Sequence, residues 1–263
     1  MDYPIITSQL PRAAGSADDA ALSWNPPALR AVCLDIDDTL VDFTTAERQA
    51  LTRLLGRSDT WPLWQRVTAT HVSMVVGGEL GYDEMHHRRS WAFLVELGFV
   101  TDESRVTEFE RRRRMLARLG WKLFPDVRMC LDWLTAAGVR LAAVTNASGR
   151  HQYRKLAALG ICRYFDHIAV AGELGVSKPD PVMFQRVCAE FGCQPAEAVH
   201  IGDKLTTDAR GAQAAGLTGV WLHRGGVGES DPAITDVPVV TGLDRLPELL
   251  VREFGRVGVP VPR

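Results

Sequence analysis

Three aspartates stand within four positions of the stretch CLDIDDTL, Cys33 to Leu40, directly after an apolar run. Carboxylates repel one another and resist burial, so an apolar strand ending in Asp35, Asp37 and Asp38 requires either a cation or a solvated acidic turn. Other apolar runs also end in polar residues: Thr145 and Asn146 after VRLAAV, and Asp203 after AVHIG, with Asp208 five residues further on. Lys178 lies in GVSKPDPVMF. Of 30 basic residues only four are lysines, Lys122, Lys155, Lys178 and Lys204. A lysine that survives such a bias toward arginine is one that needs an ammonium, because the two cations are not interchangeable.

The elements that must gather these residues show in the hydrophobic pattern. Short apolar runs recur as AVCLDID, VRLAAVTNAS (139–148), HIAVAG (167–172), AVHIGD (198–203) and GVWLHR (219–224), and VPVVTG (237–242) offers one more. Most are separated by amphipathic segments that close on glycine, as at Gly138 and Gly160, where a left-handed residue ends a helix. Asp180 and Pro181 suit the N-cap and first position of the helix that follows Lys178. Strand and helix in alternation predict an α/β fold, a Rossmann-like doubly wound parallel sheet. Ligands of such sheets bind at the carboxyl ends of the strands, so the polar run ends should meet at one edge.

One interval breaks the rhythm. Residues 43–122 show no strand pattern and read as four helices, Thr45–Leu55, Trp61–Val75, Tyr82–Leu97 and Glu103–Leu119. An insertion of this size should form its own small core. The expected organisation is therefore a leader over 1–28, a core domain from 29–42 and 123–263, and a helical cap domain over 43–122. Formal net charge is −2 with pI near 6.4, which gives no case for nucleic acid or a membrane surface as partner. No apolar run approaches the ~20 residues of a membrane helix. The N-terminus lacks a basic region followed by an apolar one, so no secretory signal is read. Five scattered cysteines form no CxxC pair, which fits reduced thiols in a cytoplasmic protein.

The polar run ends carry a specific resemblance. DIDDTL resembles the DxDxT motif of the haloacid dehalogenase (HAD) superfamily, AAVTN its second motif, Lys178 in SKPDP its third and IGDKLTTD its GDxxxxD fourth. All four stand in order across residues 31–222, and the helical insertion after the first is similar to a C1-type cap. The resemblance implies a C1-capped, subfamily IA-like phosphatase that uses Mg2+ on a small phosphorylated metabolite. Asp35 would be the nucleophile, forming an aspartyl-phosphate. Asp37 would act as general acid and then general base, for which a raised pKa is expected. Asp35, Asp203 and the main-chain carbonyl of Asp37 would hold the metal. Thr145, Asn146 and Lys178 would bind the phosphoryl oxygens, and Asp208 would orient Lys178 or a metal-bound water. Strand alternation would put Asp35 and Asp37 on one side, while the carboxylate of Asp38 is expected to be incidental.

Other charged stretches read as solvated helix faces: HHRR (86–89), and RRRR (111–114), whose Arg112 and Arg114 can pair with Glu108 and Glu110 at i,i+4. A dehalogenase would need neither Asp37 nor Asp203, and a phosphonatase would need a cap lysine that residues 41–121 lack. The alternatives that stay open are a phosphomutase on the same four motifs and a non-catalytic binding or regulatory protein. The sequence is compatible with a monomer or a homodimer.

Overall fold

The computed structural model describes residues 28–147, 149–225 and 236–255. The expected leader thus lies, but for its last residue, outside the described residues. Six strands form one parallel sheet: β1 (Ala31–Leu34), β2 (Arg140–Thr145), β3 (His167–Val170), β4 (Ala198–Gly202), β5 (Thr218–Leu222) and β6 (Val239–Val240). Their spatial order is β3-β2-β1-β4-β5-β6. Chain direction across the sheet therefore reverses beside β1, with β2 on one side and β4 on the other. That is the switch point at which doubly wound sheets open a crevice.

Alternation in the central strands feeds two cores. Val32 and Leu34 of β1, Leu141 and Ala143 of β2, and Val199 and Ile201 of β4 face one layer. That layer is closed by helices α5 (Val127–Ala136) and α10 (Leu246–Phe254), which contribute Leu131, Leu134, Leu250 and Phe254. Ala31, Cys33, Ala142 and Val144 face the opposite layer, where Met183, Phe184 and Val187 of α8 (Pro181–Glu190) pack. A strand buried on both faces reads as a continuous apolar run, which is why β1 shows no polar alternation before Asp35. Asp180 accepts the Val182 N–H at 2.9 Å as the N-cap of α8, with Pro181 in its first turn. Gly138 and Gly160 take φ of 73° and 68°. Among the described residues no helix is long and apolar enough to cross a membrane, and the five cysteines are free.

The insertion is helical throughout: α1 (Phe43–Leu55), α2 (Trp61–Val76), α3 (Tyr82–Glu96) and α4 (Glu103–Leu119). Its apolar centre is separate from the two sheet layers and contains Leu51, Trp64, Val67, Phe93 and Val106. Through that centre runs a buried ionic network. Arg113 forks onto Glu110, with bonds of 2.9 and 2.7 Å, and also meets Glu47 of α1. Ser90 donates to Glu110 at 2.8 Å, and the guanidiniums of Arg89 and Arg113 lie 4.2 and 5.1 Å from the centre of the Trp64 ring. The two basic stretches are therefore not simply solvated faces. Arg88 and Arg111 are exposed and paired within their helices, whereas Arg89 and Arg113 are buried. Glu110 does meet Arg114, but Glu108 pairs with Arg111 and not with Arg112.

Burial pushes the Glu110 carboxyl up, but the guanidiniums of Arg113, Arg89 and Arg114 outweigh it and hold it well below the usual carboxylate range. Removing Arg113 strands the buried carboxylate of Glu47 and takes from Glu110 its two-pronged partner, leaving it the hydrogen bonds of Arg114 and Ser90. Arg113→Met is expected to destabilise the protein by about 3–5 kcal/mol, read as a lowered thermal midpoint and an earlier urea transition.

Candidate active site

The carboxyl edge of the sheet gathers the run ends in two clusters, each organised by a lysine. In the first, Lys178 is buried and its ammonium donates to Asp35 Oδ1 at 2.6 Å, Asp208 Oδ1 at 2.6 Å and the Val144 carbonyl at 2.8 Å. All three of its protons are used. Asn146 holds the Lys178 backbone from both sides: its Nδ2 donates to the Lys178 carbonyl and its Oδ1 accepts the Lys178 N–H, both at 2.7 Å. The side-chain amide of Asn146 is thus engaged in a clamp on the backbone of Lys178.

Asp208 also meets His200 Nε2 at 3.2 Å and accepts the Lys204 N–H at 3.0 Å. It lies within the π-helical turn Leu205–Arg210 and is not its N-cap; it reaches back to the residue that begins the turn. Gly202 makes room for it, since a Cβ there would stand 2.3 Å from the Asp208 Cγ. That close approach is a physical reason for glycine directly before Asp203.

In the second cluster Lys155 and Gln152 project from α6 (Gly149–Ala158). Lys155, fully buried, bonds Asp37 Oδ1, and Gln152 Nε2 donates to Asp37 Oδ2 at 2.8 Å and to Thr145 Oγ1 at 3.3 Å. The Lys155 ammonium lies 4.5 Å from the Phe43 ring centre and 5.5 Å from that of Trp121. Asp35 and Asp37 therefore turn to different lysines. β1 ends at Leu34, so the alternation of the strand does not carry through to Asp37.

The electrostatics separate the two aspartates. Burial pushes the Asp35 carboxyl up to about 6, against the pull of Lys178. Asp37 goes the other way. Its burial penalty is outweighed by the charge and hydrogen bond of Lys155 and by Gln152, so its pKa is lowered. The expectation of a raised Asp37 is corrected: sequence spacing does not reveal that an ammonium is buried against it. Asp38 is also more than incidental. It adopts φ of 63°, and its carboxylate accepts the Thr44 N–H at 2.8 Å and the Thr44 hydroxyl at 2.7 Å, fixing the start of α1.

Asp203 lies beside Asp35 at the adjoining strand end, and its own N–H donates to Thr39 Oγ1 at 3.1 Å. Its carboxylate accepts no hydrogen bond among the described residues. Burial first, and then the charge of Asp35, push it up to about 8. The main-chain carbonyl of Asp37 likewise accepts no hydrogen bond among the described residues. No group of three or more His, Cys, Asp or Glu side chains forms a metal cage among them. Two under-compensated carboxylates and a free carbonyl are instead hard oxygen donors of the number from which Mg2+ is commonly held, with water completing its shell.

Lys155, Gln152 and His200 were not singled out from the sequence. One signal pointed to Lys155: it is one of four lysines in an arginine-rich chain, and Lys155, Lys178 and Lys204 all act on the aspartates of this edge. Nothing local marks Gln152 or His200.

The fold and the site define a Rossmann-like hydrolase with a helical insertion after its first strand. The chain belongs to the haloacid dehalogenase-like hydrolases, whose family model matches residues 29–216. It is 30% identical over 234 residues to the glyceraldehyde 3-phosphate phosphatase of Methanopyrus kandleri, covering 87% of this chain and 99% of that protein. It is also 30% identical over 187 residues to the phosphoserine phosphatase of Thermus thermophilus, covering 70% and 72%. The magnesium-bound crystal structure of the HAD-hydrolase YfnB of Bacillus subtilis superposes with a TM-score of 0.71 at 26% identity, over 85% of this chain and 99% of that one.

The Asn146 clamp is testable by itself. Asn146→Ala removes both backbone bonds of Lys178 and should cost about 1–3 kcal/mol, seen as a lower thermal midpoint and as faster hydrogen exchange at the Lys178 amide.

Proposed function

We propose that the protein is a Mg2+-dependent phosphomonoester hydrolase acting on a small phosphorylated metabolite through an aspartyl-phosphate. The observation that carries this reading is the pairing of Asp35 with a buried ammonium next to an under-compensated Asp203. A nucleophile, a fixed positive charge and a pair of under-compensated hard donors then meet at one strand edge. The phosphatase relatives at 30% identity support the substrate class.

In the first half-reaction an Asp35 oxygen attacks phosphorus and the bond from phosphorus to the substrate oxygen breaks. In the second, water attacks phosphorus, the bond to Asp35 breaks and inorganic phosphate leaves. Lys178 offsets charge on Asp35 and on the phosphoryl oxygens. The Thr145 hydroxyl accepts from Gln152 and keeps its own proton to donate to a phosphoryl oxygen. Lys155 holds Asp37 ionised, which suits it to take the proton of the attacking water. Its acid role in the first half-reaction requires the Lys155 pair to loosen so that Asp37 takes up a proton, which it gives to the leaving oxygen before accepting one from the attacking water. Bound by Asp35, Asp203 and the Asp37 carbonyl, Mg2+ would neutralise the transferring oxygens and keep both carboxylates ionised.

Residues 43–122 serve as the cap in this reading. Phe43 and Trp121, near its two junctions, both flank Lys155, so a change in cap position would be felt at Asp37.

Asp35→Asn should lower hydrolysis of p-nitrophenyl phosphate by roughly three orders of magnitude or more with the fold retained; Mg2+-dependent turnover surviving in that variant would remove Asp35 as nucleophile. The metal reading has its own test in stability. Asp35 and Asp203 titrate above their unfolded values, so between about pH 4 and pH 8 the folded chain holds the extra protons and metal-free stability falls as pH rises. Asp37 and Asp208 are held low, and their contribution is lost only in acid. The thermal shift produced by saturating Mg2+ should therefore grow from acid toward pH 8 and shrink in Asp203→Asn. A shift independent of pH and of Asp203 would count against these ligands.

A further inference from the structure

Between the insertion and the sheet lies a cavity of about 1280 Å³. It abuts the catalytic edge without containing Asp35, Asp37 or Asp203: Ser177 and Pro179, on either side of Lys178, line it, as does His151, next to Gln152, which bonds Asp37. A substrate with its phosphoryl group at Asp35 would extend its remaining atoms this way.

The walls carry two arginine pairs, each spaced by one helical turn. Arg114 and Arg118 come from α4 of the insertion, and Arg150 and Arg154 from α6 of the sheet domain. Residues four apart share a helix face, so each pair presents both guanidiniums to the same side. Arg114 is partly engaged by Glu110 at 2.6 Å. Arg118, Arg150 and Arg154 are exposed and have no ion pair or hydrogen bond among the described residues.

The acids in the same walls have other contacts. Glu84 pairs with Arg88 at 2.6 Å, Asp180 caps α8, and Glu173 meets the Tyr153 hydroxyl at 3.5 Å. Arg150 also sits in the first turn of α6, where no acid is present and where a cation opposes the helix dipole. Local stability does not explain that choice. His151, between the two pairs, is pushed down to about 4 by burial and by Lys155, with Arg114 and Arg118 adding to the effect, so it is neutral at physiological pH and the wall charge is guanidinium.

Like charges from insertion and sheet thus face each other across a cleft, and an anion between them would relieve the repulsion. We propose that this cavity is a subsite for a second anionic group of the substrate, a carboxylate or a second phosphate, engaged by Arg118, Arg150 and Arg154. The inference rests on the phosphatase reading above and names its substrate class: a doubly anionic phosphomonoester. Guanidinium forks bind either oxyanion in bidentate fashion. The volume exceeds the roughly 300–1,000 Å³ of common small-ligand pockets, so a substrate of hexose length or more is accommodated.

The experiment compares kcat/KM within two matched pairs: fructose 1,6-bisphosphate against fructose 6-phosphate, and 6-phosphogluconate against glucose 6-phosphate. p-Nitrophenyl phosphate serves as the reference ester. In at least one pair the doubly anionic member should be favoured by about tenfold or more, mainly through KM, equivalent to about 1.4 kcal/mol; the pair that responds tells phosphate from carboxylate. Arg118→Ala combined with Arg154→Ala should collapse that preference to about twofold or less, with the thermal midpoint unchanged because both side chains are exposed. No preference in either pair, turnover of p-nitrophenyl phosphate with none of the four sugars, or a preference that survives the double substitution overturns the subsite alone. Absence of turnover on every ester, p-nitrophenyl phosphate included, overturns the phosphatase reading and the subsite with it.

Discussion

A single buried ammonium holds the site together. Lys178 joins the end of β1 through Asp35, the end of β2 through the Val144 carbonyl and the turn after β4 through Asp208. Taking an ammonium out of water is costly unless its donors are all paired, and here each proton has an oxygen. The arrangement still leaves negative charge in excess. Asp35, Asp37, Asp38, Asp203 and Asp208 face Lys155, Lys178 and Lys204, and burial together with this charge deficit raises the pKa values of Asp35, Asp38 and Asp203. A divalent cation would offset that deficit, and an arriving phosphate would deepen it without one.

The rest of the molecule arranges itself around this charge problem. The sheet order reverses next to β1, so the neighbouring strand ends deliver Thr145 and Asp203 to either side of Asp35. α6 delivers Lys155 and Gln152 to Asp37 from the next element in the chain. The insertion has a centre of its own, but its two junction aromatics rest on Lys155. Its basic residues divide accordingly. Arg89 and Arg113 are consumed by burial against Trp64 and Glu110, while Arg118 is left for the cleft. Within RRRR (111–114) Arg113 is buried as internal structure while Arg114, next to it, lines the cavity wall, with helical phase deciding which residue does which.

Much of this was legible in the chain. The four helices of the insertion begin and end within two residues of where apolar periodicity puts them, and each strand falls on an apolar run. Asp35 and Asp203 meet at one edge because they follow buried strands of a parallel sheet, and Lys178 and Asp208 reach that edge from the segments after β3 and β4. Asn146 was placed at that edge too, but its amide is spent on the Lys178 backbone, a contact spanning 32 positions. Neither the motif nor its spacing reveals that Asp38 takes a left-handed backbone and that its carboxylate holds Thr44.

The sequence by itself determined the elements, their order and the polar residues that follow the apolar runs, because helical and strand periodicities are local properties of a chain. Only the tertiary structure decided the charge state of each carboxylate. Asp35 and Asp37 are two residues apart with the same side chain, yet one is pushed up and the other held low. Burial outweighs Lys178 at Asp35, where Asp208 adds its own charge, whereas Lys155 and Gln152 outweigh burial at Asp37; the two lysines lie 143 and 118 positions from their partners. A pKa depends on what is packed within a few ångströms, and that is set by how the sheet and its helices fold together.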